Sequence, residues 1–244
     1  MNGSNKILIA KAGSTYPEVR REYGDPENWI MNSIKTNLAN FETIEVFNTT
    51  HLPELKNYSG IIITGSHSNV SDPKPWIENL SRWIQTARKH SLPVLGICFG
   101  HQLLTQAFGG TVDFHPDGQE LGYVDVSLNE EGKKDRLLGI LPSDFFAYAN
   151  HAQTIKTLPR GTVSLAGNDF DKTHAFSLNN HIWGVQFHPE YTGEIMKAQI
   201  RAQKETLLKN KKDPELMIKQ VKEVPYGSML LQQFYKICSD RTNP

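Results

Sequence analysis

The chain has 244 residues and a mass of 27.6 kDa, the size of one α/β domain with some added helices. Its 26 Lys and Arg offset 26 Asp and Glu, for a formal net charge of zero and a pI of about 7.1, so neither nucleic acid nor a membrane surface is an expected partner. No apolar run approaches the length that crosses a bilayer, the stretch from Met1 to Ile7 lacks a secretory pattern, and two cysteines give no disulfide framework; a reducing, cytoplasmic setting is expected.

In chain order, Lys6 to Ala10 is an apolar strand, and a polar loop with Tyr16 and Tyr23 follows. Trp29 to Leu38 reads as helix, and Thr43 to Phe47 and Gly60 to Thr64 as strands. Over Trp76 to His90 the residues Trp76, Leu80, Trp83, Ile84 and Ala87 recur at helical spacing. Pro93 to Ile97 is again a strand, and Gln102 to Phe108 a helix. This alternation predicts an α/β three-layer sandwich with a mostly parallel central sheet. Ligands of such sheets bind at the carboxyl ends of the strands.

The middle of the chain changes character. Gly122 to Leu128, Phe145 to Ala149, Thr162 to Ala166, Ala175 to Leu178 and Ile182 to His188 are short runs with turn signals between them, which predicts a mixed or antiparallel extension of the sheet. Beyond Tyr191 the sequence is helical and charged. Glu194 to Lys212 is predicted as one helix ending in a basic cluster, Asp213-Pro214 starts a second, and Ser228 to Ile237 is a third. Residues 1–192 are expected to form one domain, with 193–244 a C-terminal helical extension packed on it.

Two motifs carry chemistry. Val94-Leu95-Gly96-Ile97-Cys98-Phe99-Gly100-His101-Gln102 is a strand entering a Gly-x-Cys-x-Gly turn with a helix beyond it. Such an elbow exposes one nucleophile at a strand end, with the two glycines expected to permit the bend and to clear space for a substrate carbonyl. A thiol there implies acyl transfer through a thioester. Far downstream, Val185-Gln186-Phe187-His188-Pro189-Glu190 reads as a strand end. If extended geometry persists through Pro189, His188 and Glu190 face the same side. Cys98, His188 and Glu190 then supply nucleophile, base and orienting carboxylate, with no cofactor or metal required.

Gly-Ile-Cys-Phe-Gly-His-Gln and Val-Gln-Phe-His-Pro-Glu resemble the signatures of class I, triad-type glutamine amidotransferases. Gly60-Ile61-Ile62-Ile63-Thr64-Gly65-Ser66-His67 resembles the strand and glycine-rich loop that supply one side of that family's oxyanion hole. The resemblance spans residues 6 to 192, in particular to stand-alone relatives of the amidotransferase domain of GMP synthase. It implies a flavodoxin-like core and the Cys98, His188, Glu190 triad. It also implies oxyanion donors on Phe99 and on Gly65 or Ser66, and a substrate-holding role for Gln102, which otherwise reads as an exposed helix residue. Many members carry Gly-Gly-Pro where this chain has Gly65-Ser66-His67, which leaves open which N–H faces the oxyanion. The implied activity is glutaminase, with ammonia passed to a separate synthase, because the sequence to Pro244 has no room for a synthase domain. A stand-alone γ-glutamyl peptidase with the same triad is the alternative.

The remaining histidines, His51, His67, His115, His151, His174 and His181, are scattered without metal-ligand spacing, and no metal is expected. His101 points along the helix and is expected to pack. His151 sits where relatives carry a loop near the site. Cys238 lies in an apolar helical stretch and is expected to be inert.

Overall fold

The computed structural model describes residues 6–240; the N-terminal stretch read for a leader falls mostly outside them. Among the described residues, nine strands form the central sheet. They are β1 (Ile7–Lys11), β2 (Phe41–Glu45), β3 (Gly60–Ile63), β4 (Val94–Ile97), β6 (Glu120–Leu128), β7 (Asp144–His151), β9 (Thr162–Gly167), β10 (Ala175–Leu178) and β11 (Ile182–Val185). Their order across the sheet is β2-β1-β3-β4-β11-β10-β9-β6-β7. The five from β2 to β11 pair in parallel, and every pairing from β11 to β7 is antiparallel. A separate ribbon joins β5 (Thr111–Phe114) to β8 (Gln153–Thr157).

The alternation of side chains along β1 explains the three layers. Ile7 and Ile9 face one core with Leu95, Ile97 and Trp183, covered by Ile30 and Ile34 of α2 (Pro26–Ile34) and by Leu230, Leu231 and Phe234 of α8 (Tyr226–Asp240). Leu8 and Ala10 face the other with Ile61 and Ile63, covered by Ile77, Leu80 and Ile84 of α3 (Pro75–Gln85) and by Leu103 and Leu104 of α4 (Phe99–Ala107). The central strands are buried on both faces, so they read as continuous apolar runs rather than alternating ones. No helix among the described residues is long and apolar enough to cross a membrane.

Several boundaries move. The segment read as a polar loop contains α1 (Pro17–Tyr23), whose one buried side chain, Val19, gave too little periodicity to detect. Helix α2 begins at Pro26, behind an Asp25–Asn28 capping box, and stops at Ile34 because Lys35 turns left-handed (φ 57°). The predicted helix from Glu194 to Lys212 is broken at Gln203 (φ −99°, ψ 10°) into α5 (Gly193–Ala202) and α6 (Lys204–Lys209); α7 (Pro214–Gln220) starts at the expected Asp213 cap. The two short ribbon strands were not legible, since β8 is mostly polar. Helix α8 belongs to the same core as β1, with Cys238 buried in it.

The glycines flanking Cys98 are required by the backbone. A Cβ on Gly96 would lie 2.4 Å from Gly100 O, and one on Gly100 would lie 2.5 Å from Ile63 O. Helix α4 crosses β4 and β3 at a distance only glycine allows. Gly96→Ala is therefore expected to destabilise the fold by about 1–3 kcal/mol, read from the urea midpoint, because the obstructing atoms are backbone and cannot rotate away.

Candidate active site

The sharp turn after β4 holds Cys98 at φ 51°, ψ −99°, a left-handed conformation that costs a non-glycine residue about 1–3 kcal/mol. Two ties hold it: Cys98 N donates to Val185 O at 2.8 Å, and Gln102 N donates to Cys98 O at 3.1 Å. The thiol lies at the N-terminus of α4, where the helix dipole favours negative charge. Its Sγ donates to Asn150 O at 3.6 Å.

His188 and Glu190 come together by a different local route than extended geometry. Strand β11 ends at Val185, and Pro189 and Glu190 form a turn. His188 N donates to Tyr148 O at 2.7 Å, and the ring stacks on Tyr191 at 4.1 Å between centroids. Its Nδ1 lies 2.8 Å from Glu190 Oε1, so the carboxylate accepts and leaves Nε2 unpartnered beside Cys98. Burial alone would lower the pKa of His188. The Glu190 carboxylate and Cys98 outweigh it and push it up to about 10. His188 therefore holds its proton over the neutral range, beside the sulfur of Cys98.

One cavity meets all three residues. Gly65, Ser66 and His67 line one side, Asn150 and Tyr191 another, and Ser14, Thr15, Pro26, Trp29 and Gln199 the rest. A Cβ on Gly65 would lie 3.1 Å from His188 Cε1, so that loop presses against the imidazole. His67 packs at a tilt against Tyr16, with ring centroids 4.5 Å apart, and burial, reinforced by the charge of His188, lowers its pKa. Phe99 begins α4 and packs on Trp76. Gln102 is buried outside this cavity, and its Nε2 donates to Gln153 O at 2.9 Å and Gln186 Oε1 at 3.0 Å. His101 is buried against Phe176, and burial takes its pKa down to about 3.

Two charge clusters support the cavity and were invisible in the sequence. Lys11 Nζ, buried at the end of an apolar strand, lies 2.8 Å from Asp25 Oδ2 and 2.9 Å from Glu27 Oε1. Asp25 in turn accepts from Thr15 N at 2.9 Å, which fixes the wall of the cavity. Behind Asn150, Glu120 Oε2 lies 2.8 Å from His151 Nε2 and 3.1 Å from His174 Nε2. At these spacings the imidazole N–H groups can donate to the carboxylate, and the three side chains also lie close enough together to share a metal ion. Burial would raise the pKa of Glu120, but the bonds from His151 and His174 hold it well below the ordinary range. The cluster anchors the end of β7, which carries Asn150 to Cys98. Its three members are distant in sequence, so only the antiparallel half of the sheet brings them together.

Glu190→Gln removes the carboxylate, the leading upward influence on His188. The alkaline limb of the pH–rate profile, expected near pH 10 in the parent, should move toward neutrality, and the rate should fall about 10²–10⁴-fold. An unmoved limb would show that Glu190 does not set the charge of His188.

Known proteins bear on this arrangement. The family model for glutamine amidotransferase class-I matches residues 25–206. A GMP synthase (glutamine-hydrolyzing) subunit from Methanocaldococcus jannaschii is 36% identical over 159 residues, 62% of this chain and 78% of that protein. Gamma-glutamyl peptidase 3 of Arabidopsis thaliana is 27% identical over 195 residues, 78% of each chain. A glutamine amidotransferase from Thermotoga maritima superposes with a TM-score of 0.73 at 22% identity, covering 96% of this chain and 98% of that one, which extends the shared fold through the C-terminal helices. With a family model covering most of its length and a nucleophile elbow at the end of the central strand, the chain belongs to the class-I glutamine amidotransferase family.

Proposed function

We propose that the protein hydrolyses the side-chain amide of glutamine through a thioester on Cys98 and passes the ammonia to a separate synthase chain. The observation that carries this reading is the His188–Glu190 contact of 2.8 Å beside Cys98, inside a cavity walled by the Gly65 loop. Cys98 passes its thiol proton to His188 Nε2 as Sγ attacks the amide carbon, and the electron pair of the C=O bond moves onto oxygen. Backbone N–H groups of Phe99 and of Gly65 or Ser66 receive that oxyanion. The His188 imidazolium gives its proton to the leaving nitrogen as the C–N bond breaks, and ammonia departs. Water then attacks the thioester with His188 as base, releasing glutamate and the thiol. The Methanocaldococcus relative is named as part of a glutamine-hydrolysing synthase, which supports an ammonia-accepting partner.

A second reading is favoured by one feature of the cavity. Gln199 of α5 reaches the wall beside Cys98, so the helices beyond Glu190 help shape the site. A γ-glutamyl peptidase with the same triad would use such a wall to accept a leaving group larger than ammonia, and the Arabidopsis relative carries that name. The test is an assay of the purified chain on glutamine and on γ-glutamyl dipeptides, with Cys98→Ala as control. Cys98-dependent turnover of glutamine, rising when a partner synthase is added, supports the first reading. Preferential turnover of dipeptides without a partner rejects it for the second.

A further inference from the structure

The cavity beside Cys98 contains one buried polar atom that the triad chemistry does not use. Gln199 is 1% exposed and lines the cavity together with Thr15. Its amide Nε2 donates to Thr15 Oγ1 at 2.8 Å, while its Oε1 is buried and accepts no hydrogen bond. The other unpartnered atoms at the cavity, His188 Nε2 and Glu190 Oε2, belong to the triad. Folds rarely leave a buried carbonyl oxygen without a donor from the protein unless a ligand or an ordered water provides one.

The amide is held in place at both ends. Thr15 is fixed by its own N–H to Asp25 Oδ1, and Asp25 is clamped by Lys11. Helix α5 is capped by Thr192, two residues beyond Glu190, so Gln199 is carried in register with the triad. With Nε2 committed to Thr15, Oε1 is the group left for a bound molecule. Asp25 is engaged by Lys11, and Glu190 is committed to His188 through Oε1, which leaves its Oε2 to the triad. A substrate nitrogen entering this cavity therefore meets the Gln199 carbonyl as an open acceptor outside the triad.

We propose that Gln199 Oε1 accepts a hydrogen bond from an N–H of the γ-glutamyl substrate, which makes Gln199 a substrate-positioning residue contributed by the C-terminal helices. This rests on the proposed γ-glutamyl reading of the site. Two nitrogens of such a substrate qualify, the α-ammonium and the scissile amide nitrogen, and substrates lacking one or the other separate them.

The experiment compares the full-length parent, Gln199→Leu and Gln199→Glu on three substrates: glutamine, its des-amino analogue glutaramate, and glutamate γ-methyl ester. Gln199→Leu is expected to lower kcat/KM for glutamine about 10- to 100-fold, mainly through KM, as the loss of one hydrogen bond to a substrate N–H does. Gln199→Glu, which keeps an acceptor, should recover most of that loss. A penalty that vanishes with glutaramate and persists with the ester assigns the α-ammonium; the reverse pattern assigns the scissile nitrogen. An equal penalty on all three substrates, or none on any, overturns the proposal and leaves Gln199 as a brace for Thr15. A parent chain that turns over none of the three overturns the γ-glutamyl reading and this inference with it. Turnover by the parent with a flat Gln199 pattern overturns this inference alone.

Discussion

Cys98→Ala is expected to lower turnover of glutamine or γ-glutamyl dipeptides by about 10⁴-fold or more. The sulfur forms the bond that splits amide hydrolysis into two steps, and His188, tied to Glu190, serves that sulfur as its proton acceptor and donor. The fold should tolerate the change. Alanine is smaller than cysteine, the Sγ contact to Asn150 O at 3.6 Å is weak, and the strained backbone remains tied through Cys98 N and O. Circular dichroism and the urea midpoint should therefore stay close to the parent while activity vanishes. A glutamine-mimicking electrophile should add its mass to Cys98 in the parent and to nothing in the variant. Labelling at Cys238 instead, which is buried in α8, would sink the assignment.

The largest effect on stability is expected at Glu120 rather than in the apolar core. Glu120→Ala removes the anion shared by His151 and His174 and the acceptor of the 2.7 Å bond from Asn168 Nδ2. Each buried donor left without its acceptor costs about 1–3 kcal/mol, and His151, His174 and Asn168 all lose one, so a loss of roughly 3–5 kcal/mol is expected. For a chain of this length that is a fall in Tm on the order of 10 °C. The pH dependence has a definite sign. The folded state holds the Glu120 carboxyl below its ordinary value of 4.5, so its contribution is present above that pH and is lost as pH falls through the depressed value. Acidification should narrow the gap between parent and variant, as measured by urea unfolding from pH 7 to pH 3. A constant gap would mean that Glu120 acts by packing alone. Because Asn150 adjoins His151 at the end of β7, the variant should also lose activity below the temperature at which it unfolds.

The layers and the elbow are written in the order of residues alone. Strands buried on both faces must be apolar throughout, so Ile7 to Ala10, Gly60 to Ile63 and Val94 to Ile97 announce a parallel core. A cysteine between two glycines at the end of such a run states its turn, since glycine alone allows α4 to approach β4 and β3 so closely. Three things were left to packing in three dimensions. The turn at Pro189 sets His188 against Glu190, where extended geometry had been the expectation, because the stack of His188 on Tyr191 and the bond to Tyr148 O fix the chain direction. The clusters around Lys11 and Glu120 join residues from different strands and loops. Such charges are stable in the interior only beside partners, and partners far apart along the chain leave no local pattern. Gln199 reads as one polar position on an amphipathic helix, and only the docking of α5 against α1 and the Thr15 loop turns it inward to the cavity. Periodicity records which face of an element is buried; it does not record what that face is buried against.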